Sequence, residues 1–396
     1  GLNMDLFKKC VEYDEPQKVK KQGVYPYFIP FSGGDDNVMD FEGDEKIMIG
    51  SNSYLGLTHH PRVVEAAKKA TEEYGTGRTG SRFLNGTLDI HEEFEQELAD
   101  FIGKEAALVF SAGYLVNLGV ISALLGRNDY LVLDRLDHAS IVDGSILSRA
   151  NILRYQHNDL EDLEEKLKHI PDDSSAMVVV DGVFSMEGSI AKLPGILKLT
   201  KKYGHRLMVD DAHAIGVIGP QGRGTAAHFG LTDEVDLVMG TFSKSFAAIG
   251  GFIAGDKAVV DYIKHHARPF IFTASLPPSV VASTREALKI IIEDDDRRER
   301  LWEISDYMRT NFQKMGFDTS VSETPVIPVI VGSNEKTFLL WKRLFDDGIY
   351  ANAVVSPAVP SNTARLRTSY IATHTDEQLD YVLEKFNKNG KELGII

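Results

Sequence analysis

The stretch VMGTFSKSFAAIGG runs from Val238 to Gly251 and sets one lysine among small and hydroxyl side chains, with paired glycines behind it. An ordinary surface lysine has charged neighbours, and a buried structural lysine needs a carboxylate nearby. This window offers neither. Its apolar opening reads as a strand, DLVMGTF (236–242), so Lys244 stands just past a strand end. Working outward, further strand-like runs appear at LVLD (131–134), AMVVVDGV (176–183), LMVDDA (207–212) and GGFIAG (250–255). Helical patterns lie between them, as in DLEDLEEKLKHI (159–170) and PGILKLTKKYG (194–204). Strands alternating with helices predict an α/β fold with a mostly parallel sheet covered on both faces. Such folds bind ligands at the carboxyl ends of the strands. DGVFSMEG, VDDAH and GTFSK all follow or end such runs.

The chain's 396 residues favour a large domain with a smaller one attached. We expect an N-terminal arm at 1–55, a large domain at 56–285 and a smaller α+β domain at 286–396. In the last, REALKIIIEDDDRRERLWEISDYMRTNFQKMG reads as one long helix, with EDDDRRER as a solvated face, before VIPVIVG, YANAVV and RLRTSY. A formal net charge of −15 argues against nucleic acid and against an anionic membrane surface as main partners. The single cysteine, Cys10, gives no internal disulfide framework and fits a reducing, cytoplasmic setting. The polar N-terminal segment does not read as a signal peptide. Ala106 to Gly126 carries no charge but contains Ser111, Gly113, Asn117, Gly119 and Ser122, so it reads as a buried core helix rather than a membrane span.

Lys244 gains meaning beside Asp210 and His213. Pyridoxal phosphate chemistry asks a protein for a lysine to form a Schiff base, a carboxylate to keep a pyridine nitrogen protonated, and donors for a phosphate. Asp210 ends an apolar strand, where a carboxylate must find a partner. Thr241 and Ser243 bracket Lys244 with hydroxyls. SAGYL (111–115) opens a helix whose free N–H groups suit an anion. His59 and His60 read as a loop before Pro61, and GPQGRG as a turn lacking the Gly-Lys-Ser/Thr of a phosphate loop. No metal is expected.

The motifs SNSYLGL (51–57), GTGRTGSRFLNGT (75–87), HEEFEQELADF (91–101), FSAGYLVN (110–117), DHASIVDG (137–144), DGVFSMEG (181–188), VDDAHAIGVIGPQGRG (209–224), GTFSKS (240–245) and RLRTSYIATHT (365–375) run nearly end to end. On these, the chain resembles the α-oxoamine synthases, fold-type I pyridoxal-phosphate enzymes related to aspartate aminotransferase. The resemblance implies that Lys244 links to pyridoxal 5'-phosphate, Asp210 pairs with its ring nitrogen and His138 stacks on its ring. It implies that His213 and Ser185 contact the ring oxygen, and that Gly113, Tyr114 and Thr241 hold the phosphate. Arg367 would bind an amino-acid carboxylate, a task suited to a planar two-pronged donor, with Asn52 and Ser81 also near substrate. Arg365, two residues away on the same strand face, competes for that role on position alone. The family is homodimeric, so Thr273 and Ala274 would reach the partner subunit's phosphate, and Ser81 would act across the interface.

Family members differ in amino acid and acyl-CoA. GTFSKS with AAIGGF, DYIKHHARPFIFTASLPP and VVSPAVPSNTARLRTSYIATHT are similar to the soluble branch that uses L-serine and long-chain acyl-CoA. The implied reaction is decarboxylative Claisen condensation of L-serine with palmitoyl-CoA, giving 3-ketodihydrosphingosine. The alternative is a sister using glycine or alanine, such as 2-amino-3-ketobutyrate CoA ligase or 8-amino-7-oxononanoate synthase. A non-catalytic scaffold subunit, a third reading, does not suit a chain that keeps Lys244, His138 and Asp210. An amphiphilic substrate also implies peripheral contact with the inner face of the cell membrane, although neither the acidic charge nor any amphipathic anchor supports it.

Overall fold

Strands that are apolar on both faces organise this molecule, and the computed structural model describes them within residues 5–396. The first four residues of the expected arm lie outside the described residues. Three strands come first, β1 (Gly33–Gly34), β2 (Val38–Phe41) and β3 (Asp44–Met48). Seven follow: β4 (Ala106–Phe110), β5 (Tyr130–Asp134), β6 (Asn151–Tyr155), β7 (Ala176–Asp181), β8 (Arg206–Asp210), β9 (Leu237–Thr241) and β10 (Gly251–Gly255). Four come last, β11 (Val326–Gly332), β12 (Ile349–Tyr350), β13 (Asn352–Val354) and β14 (Ala364–Ser369).

The central sheet has the order β4-β10-β9-β8-β7-β5-β6. Only β10 runs against its neighbours, pairing Gly251 with both Thr241 and Phe110. The other pairs, β5 with β6 and β7, β7 with β8, and β8 with β9, are parallel. Along β7 the side chains alternate between two buried layers: Val178 and Val180 face one, Met177 and Val179 the other. Two covered faces explain why these strands read as unbroken apolar runs. They also place the ends of β4, β5, β7, β8 and β9 along one edge, which β10 enters at Gly251.

Two segments differ from expectation. Ala106–Gly126 is not one helix; AALVF pairs with β10 as a strand, and the helix begins at Gly113. With no polar residue until Ser111, five apolar residues leading into an apolar helix carry no periodic break. The long C-terminal helix is two, Pro278–Glu293 and Asp296–Met315. Consecutive carboxylates at 293–296 fall where the first helix presents its negative end, and Asp294 turns extended and accepts from Asp296 N at 2.8 Å. The neighbouring charge run is not solely a solvated face, because Arg297 Nη1 donates to Leu55 O at 2.8 Å.

The three-part division of the chain is a proposal. Two features bear on it: β3 pairs in parallel with β12, and the helix Pro278–Glu293 runs past residue 285 while packing on the helix Pro61–Tyr74. Between them lies the loop 75–87. It is tied down by Arg82, whose two terminal nitrogens meet the two Glu95 oxygens at 3.0 and 2.9 Å, with both side chains nearly buried. Glu95 Oε2 also accepts from Val109 N at 2.8 Å, joining that loop to β4. Removing one partner strands a buried charge. Glu95→Ala should therefore cost about 3–5 kcal/mol in urea unfolding; a loss under about 1 kcal/mol would show that the pair carries no structural weight.

Candidate active site

The segment Phe-Ser-Lys-Ser-Phe explains how Lys244 is presented. Phe242 and Phe246 are both fully buried and meet edge to face with ring centres 5.2 Å apart, and Phe242 stacks on Phe252. The backbone closes through Phe242 N to Gly250 O and Ala248 N to Phe242 O. The two rings pin the turn, and Lys244 between them lines a pocket at the sheet edge. Among the described residues its amine has no hydrogen bond and no ion pair. Burial lowers its pKa, opposed by Asp210 and assisted by Arg367.

The pocket gathers Gly113, Tyr114, His138, Asp181, Asp210, His213, Thr241 and Lys244 from five strand ends, with Ser140, Ala212 and Ser243. Asp210 is 4% exposed. Its Oδ2 accepts from Asn117 Nδ2 at 2.9 Å and its Oδ1 from Ala212 N at 3.0 Å. The next residue, Asp211, turns the other way and accepts from Thr225 N and Oγ1; burial pushes its pKa up to about 7. The GPQGRG turn thus serves as a structural anchor. Thr241 Oγ1 meets Ser243 Oγ at 2.9 Å and lies below the first residue of the helix Gly113–Leu124. A side chain at Gly113 would come within 2.7 Å of that oxygen, so only glycine lets the start of the helix lie this close to Thr241.

The two histidines are held neutral. His138 opens onto the pocket; desolvation by the pocket walls lowers its pKa, with Asp210 opposing and Lys244 reinforcing. Its Nδ1 accepts from Ser140 N at 3.1 Å. His213 is driven well below the usual imidazole range by burial, then by Lys244, Arg367 and His138. Its Nδ1 lies 2.7 Å from Tyr54 Oη.

A second group adjoins the pocket. Arg367 is nearly buried and donates from Nε to Ser185 O at 2.7 Å and from Nη2 to Asn52 Oδ1 at 3.0 Å. Arg365 is paired elsewhere: Nη1 meets both Glu187 oxygens at 3.1 Å and Met186 O at 3.0 Å. Ser185 meets Arg367 through its backbone oxygen. Ser81, Thr273 and Ala274 are not in this pocket; Ser81 bridges to Ala274 on the adjoining surface. His60 caps the helix Pro61–Tyr74 by accepting from Arg62 N, a structural task.

Several residues here were not picked out from the sequence. Tyr54 lies inside SNSYLGL and Ser140 inside DHAS, so motif position could have flagged them. Asp181 Oδ2 accepts from His138 N at 3.0 Å, and Asp137 Oδ1 accepts from Asp181 N at 3.0 Å, locking the His138 loop to β7. Burial and neighbouring carboxylates raise both acids well above the usual range. Asn117, an amide in a mostly apolar helix, closes the motif FSAGYLVN, so motif position could have flagged it too.

A partnerless desolvated amine, a buried carboxylate aimed into the same pocket and an open helix N-terminus flanked by hydroxyls form a donor set that fits pyridoxal phosphate. The chain belongs to the class I and II aminotransferase family, whose model matches residues 44–386, and within it to the α-oxoamine synthases. It is 50% identical over 390 residues to a serine palmitoyltransferase from Sphingobacterium spiritivorum, covering 98% of each chain. It is 43% identical over 395 residues to an 8-amino-7-oxononanoate synthase from Thermoanaerobacter pseudethanolicus, covering 100% of this chain and 99% of that one. A solved serine palmitoyltransferase with pyridoxal phosphate superposes with a TM-score of 0.95 at 39% identity, covering 99% of this chain and 100% of that one.

The segment that carries Asn52 depends on one more buried ring. His374 Nδ1 accepts from Ile371 N at 3.0 Å, so its proton sits on Nε2 and donates to Met48 O at 2.9 Å. Burial lowers its pKa from 6.5 to about 4. The folded state then binds fewer protons than the unfolded one between those values, so stability is lost as pH falls below 6.5. The loss amounts to about 3 kcal/mol by pH 4, at about 1.4 kcal/mol per unit. The stability gap between wild type and His374→Gln should narrow by that amount between pH 7 and 4 in denaturant titrations; a gap independent of pH would contradict this.

Proposed function

We propose that this protein condenses L-serine with palmitoyl-CoA, releasing CoA and carbon dioxide and giving 3-ketodihydrosphingosine, with pyridoxal phosphate as cofactor. The observation that carries the reading is the placement of Lys244 against Asp210 in one pocket, with the Arg367–Asn52 pair beside it. When bound, pyridoxal phosphate supplies an electron sink for a carbanion at the substrate's Cα. Lys244 Nζ would hold the cofactor, Asp210 would pair with its ring nitrogen, and Gly113, Tyr114 and Thr241 would hold its phosphate. His213, which lines the pocket, and Ser185, beside Arg367, would contact the ring oxygen.

Arg367 has donors to spare after Ser185 and Asn52, and we assign it the serine carboxylate. Once free, Lys244 Nζ takes the Cα proton, exchanges it with solvent and later delivers a proton to the same carbon. Burial lowers its pKa, which favours that exchange. His138 orients the carboxylate so that the Cα–H bond is the one broken. The new carbon–carbon bond forms between Cα and the thioester carbonyl, the thiolate of CoA leaves, and the carboxylate departs as carbon dioxide.

We further propose a homodimer. Among the described residues Ser81 Oγ is buried without a partner, and Ser111 Oγ donates to Ala274 O just before the helix Gly113–Leu124 begins. Exposed Phe83, Leu84 and Phe272 flank this place. A second copy seated there brings Thr273 and Ala274 to its own neighbour's phosphate site. Among the described residues no helix is long and apolar enough to cross a membrane. A cytoplasmic enzyme touching the membrane's inner face to deliver its product fits this reading.

A sister activity with glycine or alanine is the second reading, favoured by the full-length match to an 8-amino-7-oxononanoate synthase. Absorption titration of the cofactor-loaded protein separates them. Saturation at the lowest concentration with L-serine is the expected result. Tighter response to glycine or L-alanine would move the function to a sister enzyme, and no visible band with added cofactor would overturn the enzymatic reading.

A further inference from the structure

Asn117 lies in the helix Gly113–Leu124 and is fully buried. Its Nδ2 sits 2.9 Å from Asp210 Oδ2 and 2.9 Å from Ser140 Oγ. An ionised carboxylate can only accept, so chemistry fixes which end of the amide faces Asp210. Both amide protons are then used. At the other end Oδ1 is buried with no donor among the described residues. An orphaned buried acceptor is unfavourable and needs a reason. Here the reason lies in what the two protons hold.

Ser140 continues the chain. Its Oγ receives one Asn117 proton and lies 2.7 Å from His138 Nδ1. That nitrogen already accepts from Ser140 N, so the serine's single hydroxyl proton points to it as well. His138 Nδ1 therefore accepts two hydrogen bonds, and the neutral ring carries its proton on Nε2. Directionality runs one way along the chain, from Asn117 through Ser140 to His138, and from the same amide to Asp210.

We propose that Asn117 is a positioning residue that holds both groups facing the cofactor, Asp210 directly and His138 through Ser140. The proposal rests on the pyridoxal-phosphate reading above and adds that these two groups are coupled by one amide rather than set independently.

The test uses full-length protein labelled with 15N-histidine, with and without pyridoxal phosphate, as wild type, Ser140→Ala, Asn117→Leu and the double variant. The His138 signals are assigned by their loss in His138→Phe. Ser140→Ala should shift the Nδ1 resonance downfield, as an accepting nitrogen loses a donor. Asn117→Leu should shift it the same way although it does not touch the ring, and should add nothing once Ser140 is replaced. The cofactor dissociation constant should rise roughly tenfold in Asn117→Leu, because a hydrogen bond to a charged group is lost, and roughly threefold in Ser140→Ala.

A packing role alone would lower the melting temperature and leave Nδ1 where it is. An unmoved Nδ1 signal in Asn117→Leu, or cofactor binding within twofold of wild type, would overturn the proposal. Should Asn117→Leu fail to fold, Asn117→Ser at the same site gives the same comparison, with the weakened donor expected to move Nδ1 less but in the same direction. These hydrogen bonds stand without cofactor, so the Nδ1 comparison decides the coupling even if wild type binds no pyridoxal phosphate, a result that would overturn the functional reading instead.

Discussion

A carboxylate at the buried end of a strand has to be met by donors, and Asp210 is met by two, Asn117 Nδ2 and Ala212 N. Desolvating an unpaired carboxylate costs more than a marginally stable fold can absorb. The strand order, the helix that brings Asn117 beneath β8, and the turn that aims Ala212 N all answer that demand. Neither donor carries a full positive charge, so Asp210 keeps its capacity for a cationic ligand. Lys244 nearby is held short of it, with its amine unspent. The pocket is thus prepared for a ring that is positive at one end and reactive toward an amine at the other.

Neutral groups surround this pair. His213 and His138 are both desolvated and both near Lys244, so neither adds a competing cation at neutral pH. Behind them Asp137 and Asp181 give their oxygens to backbone N–H groups rather than to cations, fixing the loop that carries His138. Arg367 supplies the one fixed positive charge of this neighbourhood, and its ties to Ser185 O and Asn52 orient it without neutralising it. Charge is therefore graded across the site: a carboxylate for the cofactor ring, an amine between, and a guanidinium for a substrate carboxylate.

Much of this was legible in the residues. Apolar runs ending in VDDAH and GTFSK locate the sheet edge because two covered faces leave polar residues only at the strand ends. What escaped did so for physical reasons. β4 hides in an uncharged segment whose strand and helix halves are equally apolar. The helix break at 293–296 comes from carboxylates meeting a helix C-terminus, which a pattern of apolar spacing does not register. Asn117 is one amide among apolar neighbours, and its importance comes from Asp210 and Ser140, far away in sequence. Arg365 and Arg367 read alike on one strand face; the position of Glu187 separates a guanidinium paired with a carboxylate from an available one.

The central claim is that this charge arrangement joins serine to a long acyl chain. The most direct measurement is mass-spectrometric product analysis of the purified protein supplied with pyridoxal phosphate, palmitoyl-CoA and L-serine deuterated at Cα. The account predicts 3-ketodihydrosphingosine with the Cα deuterium exchanged for solvent hydrogen, one CoA and one carbon dioxide per product, and no product from Lys244→Ala. A long-chain product that keeps the Cα deuterium, or product formed only when glycine or L-alanine replaces serine, would contradict it.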